Sequence, residues 1–426
     1  MYGKREFENA FSRKTSNASA LTLALAIVLT LMVALTQAAP AQTYRVIYAF
    51  TGGIDGSGPP AGVTMDAAGN LYGTAFGAGA QRYGTVFKLS HQNSSWVFAP
   101  LYSFQNVPDG ANPGARVIFS PNGALYGTTY AGGAGCNGVG CGTVFKLTPP
   151  ATFCRNVLCS WDETVLHRFE GGNDGFSPFA EVVFDRAGNL YGTTYGGGTY
   201  DSGTVYQMTS SGAEGVIYSF TGGSDGALPQ ADVILDSVGN LYGTTSTNGA
   251  YGTVYELTPS GSRWIEHTLH GFENYGMGAS PIGGVIFDAS GDLFGTTVYS
   301  GSNGGGTVFE LTPLGGIWAF TVTYALHGNG NEGPSANLIL DSDGNLYGTT
   351  YADGAYGFGG VFKLTRSGSE WTYTSLHDFT GGSDGGGPLG QVIFGANGNL
   401  YGTTALGGNL ADCDGVGCGG VFEITP

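Results

Sequence analysis

The sequence predicts an all-β protein: a seven-bladed β-propeller with four strands per blade, its ring closed by the N-terminal strand pairing with the last blade. Three observations carry this expectation. The tetrapeptide Leu-Tyr-Gly-Thr recurs through the chain, each unit it marks holds four strand-like segments, and 78 of the 426 residues are Gly. Average usage is ~7% Gly, and Gly costs about 1 kcal/mol per helical position, so helices are disfavoured. With 41% hydrophobic and 13% aromatic residues, the chain keeps enough apolar surface for a core, which excludes Gly-driven disorder. The every-third-residue Gly of collagen is absent.

The tetrapeptide begins at Leu71, Leu125, Leu190, Leu241, Leu293 (with Phe294 for Tyr), Leu346 and Leu400, at intervals of 51 to 65 residues. Units of ~40–55 residues with four strands are propeller blades, whereas solenoid coils repeat every ~20–30. In the fourth unit, the expected strands are Val233 to Leu235, Leu241 to Thr245, Thr253 to Leu257 and Trp264 to Leu269, rich in β-branched and aromatic residues. Between the first two, Asp236-Ser237-Val238-Gly239-Asn240 is a tight-hairpin sequence: Asp bonds its own turn backbone and Gly takes positive φ. At the ends, Tyr44 to Phe50 match a fourth strand, while Val421 to Ile424 match a third. Each end supplies what the other lacks, which closes the ring and leaves no blade free to peel away. The expected state is a monomer.

Residues 1–41 read as an export signal, with a basic stretch through Lys14, an apolar run from Ala20 to Leu35, and Ala39-Pro40-Ala41 as a small-x-small cleavage site before Gln42. The expected organisation is a signal peptide over 1–41 and a propeller over 42–426, secreted to the extracellular space or periplasm, with no membrane span after cleavage. An uncleaved anchor is the alternative, because the run approaches spanning length. The net charge of −17, with no basic run after Lys14, excludes nucleic acid as a partner, since phosphate backbones are bound by clustered Lys and Arg.

All five Trp (Trp96, Trp161, Trp264, Trp318, Trp371) fall at the start of a fourth strand, a repetition that indicates packing rather than a cofactor box. The Gly inside each second strand, Gly73 for example, indicates close approach or a bulge. The six Cys form three pairs at one spacing, Cys136 with Cys141, Cys154 with Cys159, and Cys413 with Cys418. Local disulfides are expected, each contributing about 2 kcal/mol in the loop-entropy picture. A four-thiolate metal site would need two pairs to converge. His167, His270, His327 and His377 are aligned with Tyr48, Tyr102 and Tyr218 on the outermost strand, where adjacent copies stand too far apart to share an ion, so they read as packing residues.

No cofactor is expected. Ca²⁺ is the one ion considered, at the Gly-rich loops that join blades, such as Gly222-Gly223-Ser224-Asp225-Gly226. Ca²⁺ wants six to eight oxygens and each loop offers one carboxylate, so an Asp-Gly turn is the simpler reading. These loops share a face with the loops between second and third strands, which carry Tyr130, Tyr195 and Tyr351, and loops on rigid scaffolds tend to carry function. One position breaks the repetition: just before the innermost strand the units carry Gly62, Arg116, Glu181, Asp232, Gly284, Asn337 and Gln391. Inner-strand ends ring the channel, which makes Arg116, Glu181, Asp232, Asn337 and Gln391 candidate ligand-reading residues. The other reading is a solvated channel mouth.

The repeated Gly-Asn-Leu-Tyr-Gly-Thr-Thr and Gly-Thr-Val-Phe-Lys-Leu-Thr, as in Gly188 to Thr194 and Gly142 to Thr148, resemble the GloVer-type (Gloeo/Verruco) tandem repeats of exported bacterial proteins over essentially all of residues 44–426. The resemblance implies an exported or surface-associated protein and carries no catalytic residues. The unit is also similar to NHL-type propeller repeats, at the level of fold only. No nucleophile with its base, metal-ligand His pair or phosphate loop stands out. The expected function is a non-enzymatic binding or scaffold module for an extracellular glycan or protein. An extracellular hydrolase or lyase using Glu181, Asp232 and Arg116 is the alternative, and a structural role in an envelope layer a third.

Overall fold

A computed structural model of the protein describes residues 42–93, 95–138, 140–150, 161–247, 251–273, 276–328 and 333–425. The export segment and the Cys154 and Cys159 pair lie outside them. The described residues form seven four-stranded antiparallel sheets, each running from an inner to an outer strand. Blade 1 comprises Val63–Met65, Leu71–Ala75, Thr85–Gln92 and Ser95–Ser103. Blade 7 comprises Ile393–Phe394, Leu400–Thr404 and Gly420–Thr425, with Thr43–Ala49 as its outer strand. The N-terminal strand thus completes the last sheet. Phe50 N–H donates to the Gly419 carbonyl at 3.0 Å, the Phe50 ring is fully buried, and Arg45 pairs with Glu423.

The tetrapeptide is buried in all seven copies, Tyr126 alone being half-buried, because both faces of a blade are covered. Period two sends Leu71 and Gly73 to one face and Tyr72 and Thr74 to the other. Leu71, Phe87 and Leu89 pack with Phe50, Tyr401 and Val421 toward blade 7, while Tyr72 and Val86 pack with Val117, Leu125 and Phe145 toward blade 2. The core is therefore seven interblade layers. Trp161 lies edge-on to Tyr72 with ring centroids 6.2 Å apart, and Trp264, Trp318, Trp371 and Trp96 meet Tyr191, Tyr242, Phe294 and Tyr401 in the same way. The five Trp are packing residues, each laid on the preceding blade.

The recurrence of Gly within the second strands has a cross-strand cause, not a bulge. Gly73 pairs with Phe87, and a Cβ at Gly73 would lie 2.6 Å from the Phe87 ring. Two elements differ from the expected lengths. Six inner strands are two residues long, as in Ile234–Leu235. Third and fourth strands run longer where a two-residue turn joins them: in blade 5, Gly304–Leu314 and Ile317–His327 flank Gly315 and Gly316, whose φ of 60° and 94° suit a type I′ hairpin. Cys136–Cys141 and Cys413–Cys418 are disulfide-bonded, with Cα atoms 5.5 and 5.4 Å apart. No helix among the described residues is long and apolar enough to cross a membrane.

Candidate functional site

The seven variable positions stand one or two residues before the inner strands, and the Thr of the tetrapeptide holds them there. Thr74 Oγ1 donates to the Ala115 carbonyl at 2.9 Å, beside Arg116. Thr128 and Thr193 grip the Ala180 and Ala231 carbonyls, beside Glu181 and Asp232, also at 2.9 Å. Thr349 does the same for Gly390 at 3.1 Å, beside Gln391. These hydroxyls are buried, so each blade fixes the backbone from which the next blade's variable side chain projects.

The structure brings Arg116, Glu181, Asp232, Asn337 and Gln391 together at the floor of one cavity of about 300 Å³. Arg116 donates from Nε to Glu181 Oε2 at 2.7 Å and from its second terminal nitrogen to Oε1 at 2.9 Å, a two-point contact. With its amide oxygen turned toward the guanidinium, Gln391 accepts from both terminal nitrogens at 2.8 Å. Across the floor, Asn337 Nδ2 donates to Asp232 Oδ1 at 2.7 Å, and Asn337 Oδ1 accepts from the Gly284 N–H at 2.6 Å.

The electrostatics follow from this packing. Burial opposes the charge on Arg116, but Glu181 and then Asp232 outweigh it and hold the guanidinium pKa above its ordinary value. Burial and the nearby Glu181 carboxylate push Asp232 up to about 7, against the Asn337 hydrogen bond and the Arg116 charge. The floor thus pairs one guanidinium with one carboxylate, beside a second carboxyl poised to hold its proton near neutral pH. Above it, two residues earlier in each unit, an apolar tier of Pro60, Phe179, Ile282 and Leu389 lines the cavity. Sequence reasoning missed this tier, because its residues alternate with Gly114, Gln230 and Ser335 and show no repeat of their own.

Tyr130, Tyr195 and Tyr351 are half-buried at the starts of the loops between second and third strands and are not among the cavity-lining residues. Tyr130 supports the apolar tier from behind, edge-on to Phe179 at 5.4 Å. The blade-joining loops share this face: Ser57 bridges Gly77, Ala111 bridges Ala131 and Phe176 bridges Gly196.

The Asp of those loops faces the outer strand. Asp55 accepts from Tyr48 Oη at 3.0 Å, Thr51 N at 2.8 Å and Thr51 Oγ1 at 2.7 Å. Tyr102 with Asp109, His167 with Asp174, Tyr218 with Asp225 and His377 with Asp384 repeat the arrangement. The alignment of His327 with these residues is corrected by register. Val86 pairs with Tyr102 and Val254 with His270, but the blade 5 equivalent, Val308, pairs with Tyr324. His327 lies three residues further on, exposed.

Several solved structures are similar to the chain. The extracellular domain of a one-component system from B. thetaiotaomicron matches with 12% identity and a TM-score of 0.52 over 89% of this chain and 39% of that one. A protein described as a candidate 6-phosphogluconolactonase from Bacteroides uniformis matches with 14% identity and a TM-score of 0.50 over 78% of this chain and 88% of that one. A protein from Lactobacillus plantarum matches with 14% identity and a TM-score of 0.51 over 79% and 88%. At these identities the likeness shows the fold. No curated protein matches. The family model of the Gloeobacter/Verrucomicrobia repeat matches residues 33–251 and 234–426, and the chain belongs to that family.

Proposed function

We propose that the protein is an exported binding module that takes the end of a glycan into the central cavity. One observation carries this reading: the positions that break the repeat converge on a single floor, beneath an apolar tier, in a cavity of about 300 Å³. Such a funnel suits a neutral polyhydroxyl ligand. The apolar face of a sugar ring lies against Phe179 and Leu389, and its hydroxyls exchange hydrogen bonds with Asn337, Gln391 and Asp232. The floor neutralises its own charge, which disfavours strongly ionic ligands. Export fits the two disulfides among the described residues, since such bonds persist in oxidising compartments, and fits the basic, apolar and small-x-small succession of residues 1–41.

A second reading, a hydrolase or lyase, rests on Asp232. A carboxyl raised to about 7 beside an ionised partner is the pairing used for general acid and base roles. A combined glycan-array and substrate-panel screen on the purified protein separates the two. Binding without turnover, weakened by Asn337→Ala and Phe179→Ala, is the expected result. Turnover abolished by Asp232→Ala would replace binding with catalysis, and a protein ligand lost with the same variants would replace the glycan.

A further inference from the structure

At the outer rim, one position on each fourth strand reaches across to the Tyr or His of the preceding blade. It is the residue paired with the last apolar residue of the third-strand repeat: Leu89 with Phe98, Leu147 with Glu163, Met208 with Glu214, Leu257 with Glu266, Leu311 with Phe320 and Leu364 with Tyr373. Where it is aromatic, it stacks. Phe98 lies on Tyr48 at 4.8 Å, Phe320 on His270 at 3.8 Å and Tyr373 on Tyr324 at 5.4 Å. In blades 2, 3 and 4 it is Glu, so a second carboxylate enters the slot that already holds the loop Asp. The blade 2–3 slot alone among these three adds an imidazole.

There, His167 from the outer strand of blade 2, Asp174 from the joining loop and Glu214 from blade 3 turn toward one point. His167 Nε2 is 3.1 Å from Asp174 Oδ1 and 3.8 Å from Glu214 Oε2, and one ligand atom from each lies within 4.8 Å of the other two. Atoms bound to Zn²⁺ at ~2.0–2.2 Å stand roughly 3.4 Å apart in a tetrahedron, so modest side-chain movement closes the set around an ion. Glu214 Oε1 is buried and has no hydrogen-bond partner among the described residues, a cost that a cation would remove. The side chains remain 13–23% exposed, which leaves the ion a path in and a position for water.

We propose that His167, Asp174 and Glu214 form a divalent transition-metal site, of the Zn²⁺ class, that ties blade 2 to blade 3. One nitrogen and two carboxylate donors suit Zn²⁺, whereas the Tyr-Asp-Glu slots beside it, Tyr102 with Asp109 and Glu163, and Tyr218 with Asp225 and Glu266, offer oxygen alone. Each ligand arrives from a different element, so binding holds the interblade layer from outside and stabilises the folded ring by mass action.

The repeat supplies substitutions that the fold already tolerates. His167→Tyr copies the neighbouring slots, and Glu214→Phe copies Phe98 and Phe320. The test is calorimetric titration of chelator-treated protein with ZnCl₂, together with its melting temperature with and without the metal. The expected result is saturable binding of one Zn²⁺ per chain at this site and a rise of several degrees in melting temperature, with affinity at least tenfold weaker in both variants and their metal-free melting temperatures close to that of the parent. Absence of saturable binding in the parent, or binding that survives both substitutions, overturns the site. Binding retained by His167→Tyr but lost in Glu214→Phe overturns the imidazole as a ligand.

Discussion

Tyr218 donates its hydroxyl to Asp225 Oδ2 at 3.0 Å, seven residues further along the chain, and so ties the end of an outer strand to the loop that enters the next blade. The same carboxylate takes the Thr221 N–H at 2.8 Å and the Thr221 hydroxyl. This one contact accounts for two separate repeats, the outer-strand Tyr or His and the acidic blade-joining loop. It also shows how the loop carboxylate is satisfied by the chain itself.

Asp225 is 7% exposed, and truncating it removes the charged acceptor of the half-buried Tyr218 hydroxyl and of both Thr221 donors. Asp225→Ala is expected to destabilise the fold by about 1–3 kcal/mol, read as a lower denaturation midpoint with unchanged slope. Asp225→Asn, which keeps an acceptor, should cost less.

His270 stacks without an acid partner among the described residues: Phe320 lies parallel to it at 3.8 Å and its Nε2 is buried and unbonded. Desolvation lowers its pKa from 6.5 to about 4. The folded state therefore keeps it neutral while the unfolded state takes up a proton. The stability this contributes is present above pH 6.5 and lost as pH falls toward 4. The melting temperature of His270→Phe should exceed that of the parent by a margin that grows across this window. A constant margin would contradict the assignment.

Gly73 sits under the Phe87 ring. Gly73→Ala is expected to destabilise by about 1–3 kcal/mol through overpacking, and Phe87→Leu in the same chain should restore part of the loss. Chemical denaturation of the two single variants and the double variant measures the coupling.

Closure by the N-terminal strand puts Phe50 fully buried in the layer between blades 7 and 1, edge-on to Phe87 at 5.2 Å. Phe50→Ala should cost about 3–5 kcal/mol, and removing residues 44–50 should lower the melting temperature by many degrees. An unchanged melting curve in the truncated chain would sink the closure.

Much of the architecture was legible because each blade solves one packing problem with one set of residues. Leu71, Tyr72, Gly73 and Thr74 are constrained by two neighbouring blades, so they recur and reveal the period. The variable ring was visible for the complementary reason: Arg116, Glu181 and Asp232 vary between fixed neighbours. Pairings across blades were not legible. Arg116 finds Glu181, 65 residues away, only once the Thr hydroxyls fix both backbones. Glu163, Glu214 and Glu266 were hidden by the outer strands themselves. In six blades the pairing of third and fourth strands shifts register, as between Val205 and Tyr206 in blade 3, which puts the two halves of the outer strand out of phase. Leu326-His327 copies Leu269-His270 and Leu376-His377 in sequence, and so stood in for Tyr324.

The central claim is that the cavity above Arg116, Glu181 and Asp232 is a ligand site, and the most direct test is a glycan-array screen of the purified protein repeated with Phe179→Ala and Asn337→Ala. The expected result is binding of a defined class of neutral glycan end, weakened about tenfold or more by either change, with the melting temperature of Phe179→Ala, at a side chain 36% exposed, near that of the parent. Glycan binding that both variants retain in full, or no binding to any neutral glycan, would contradict it.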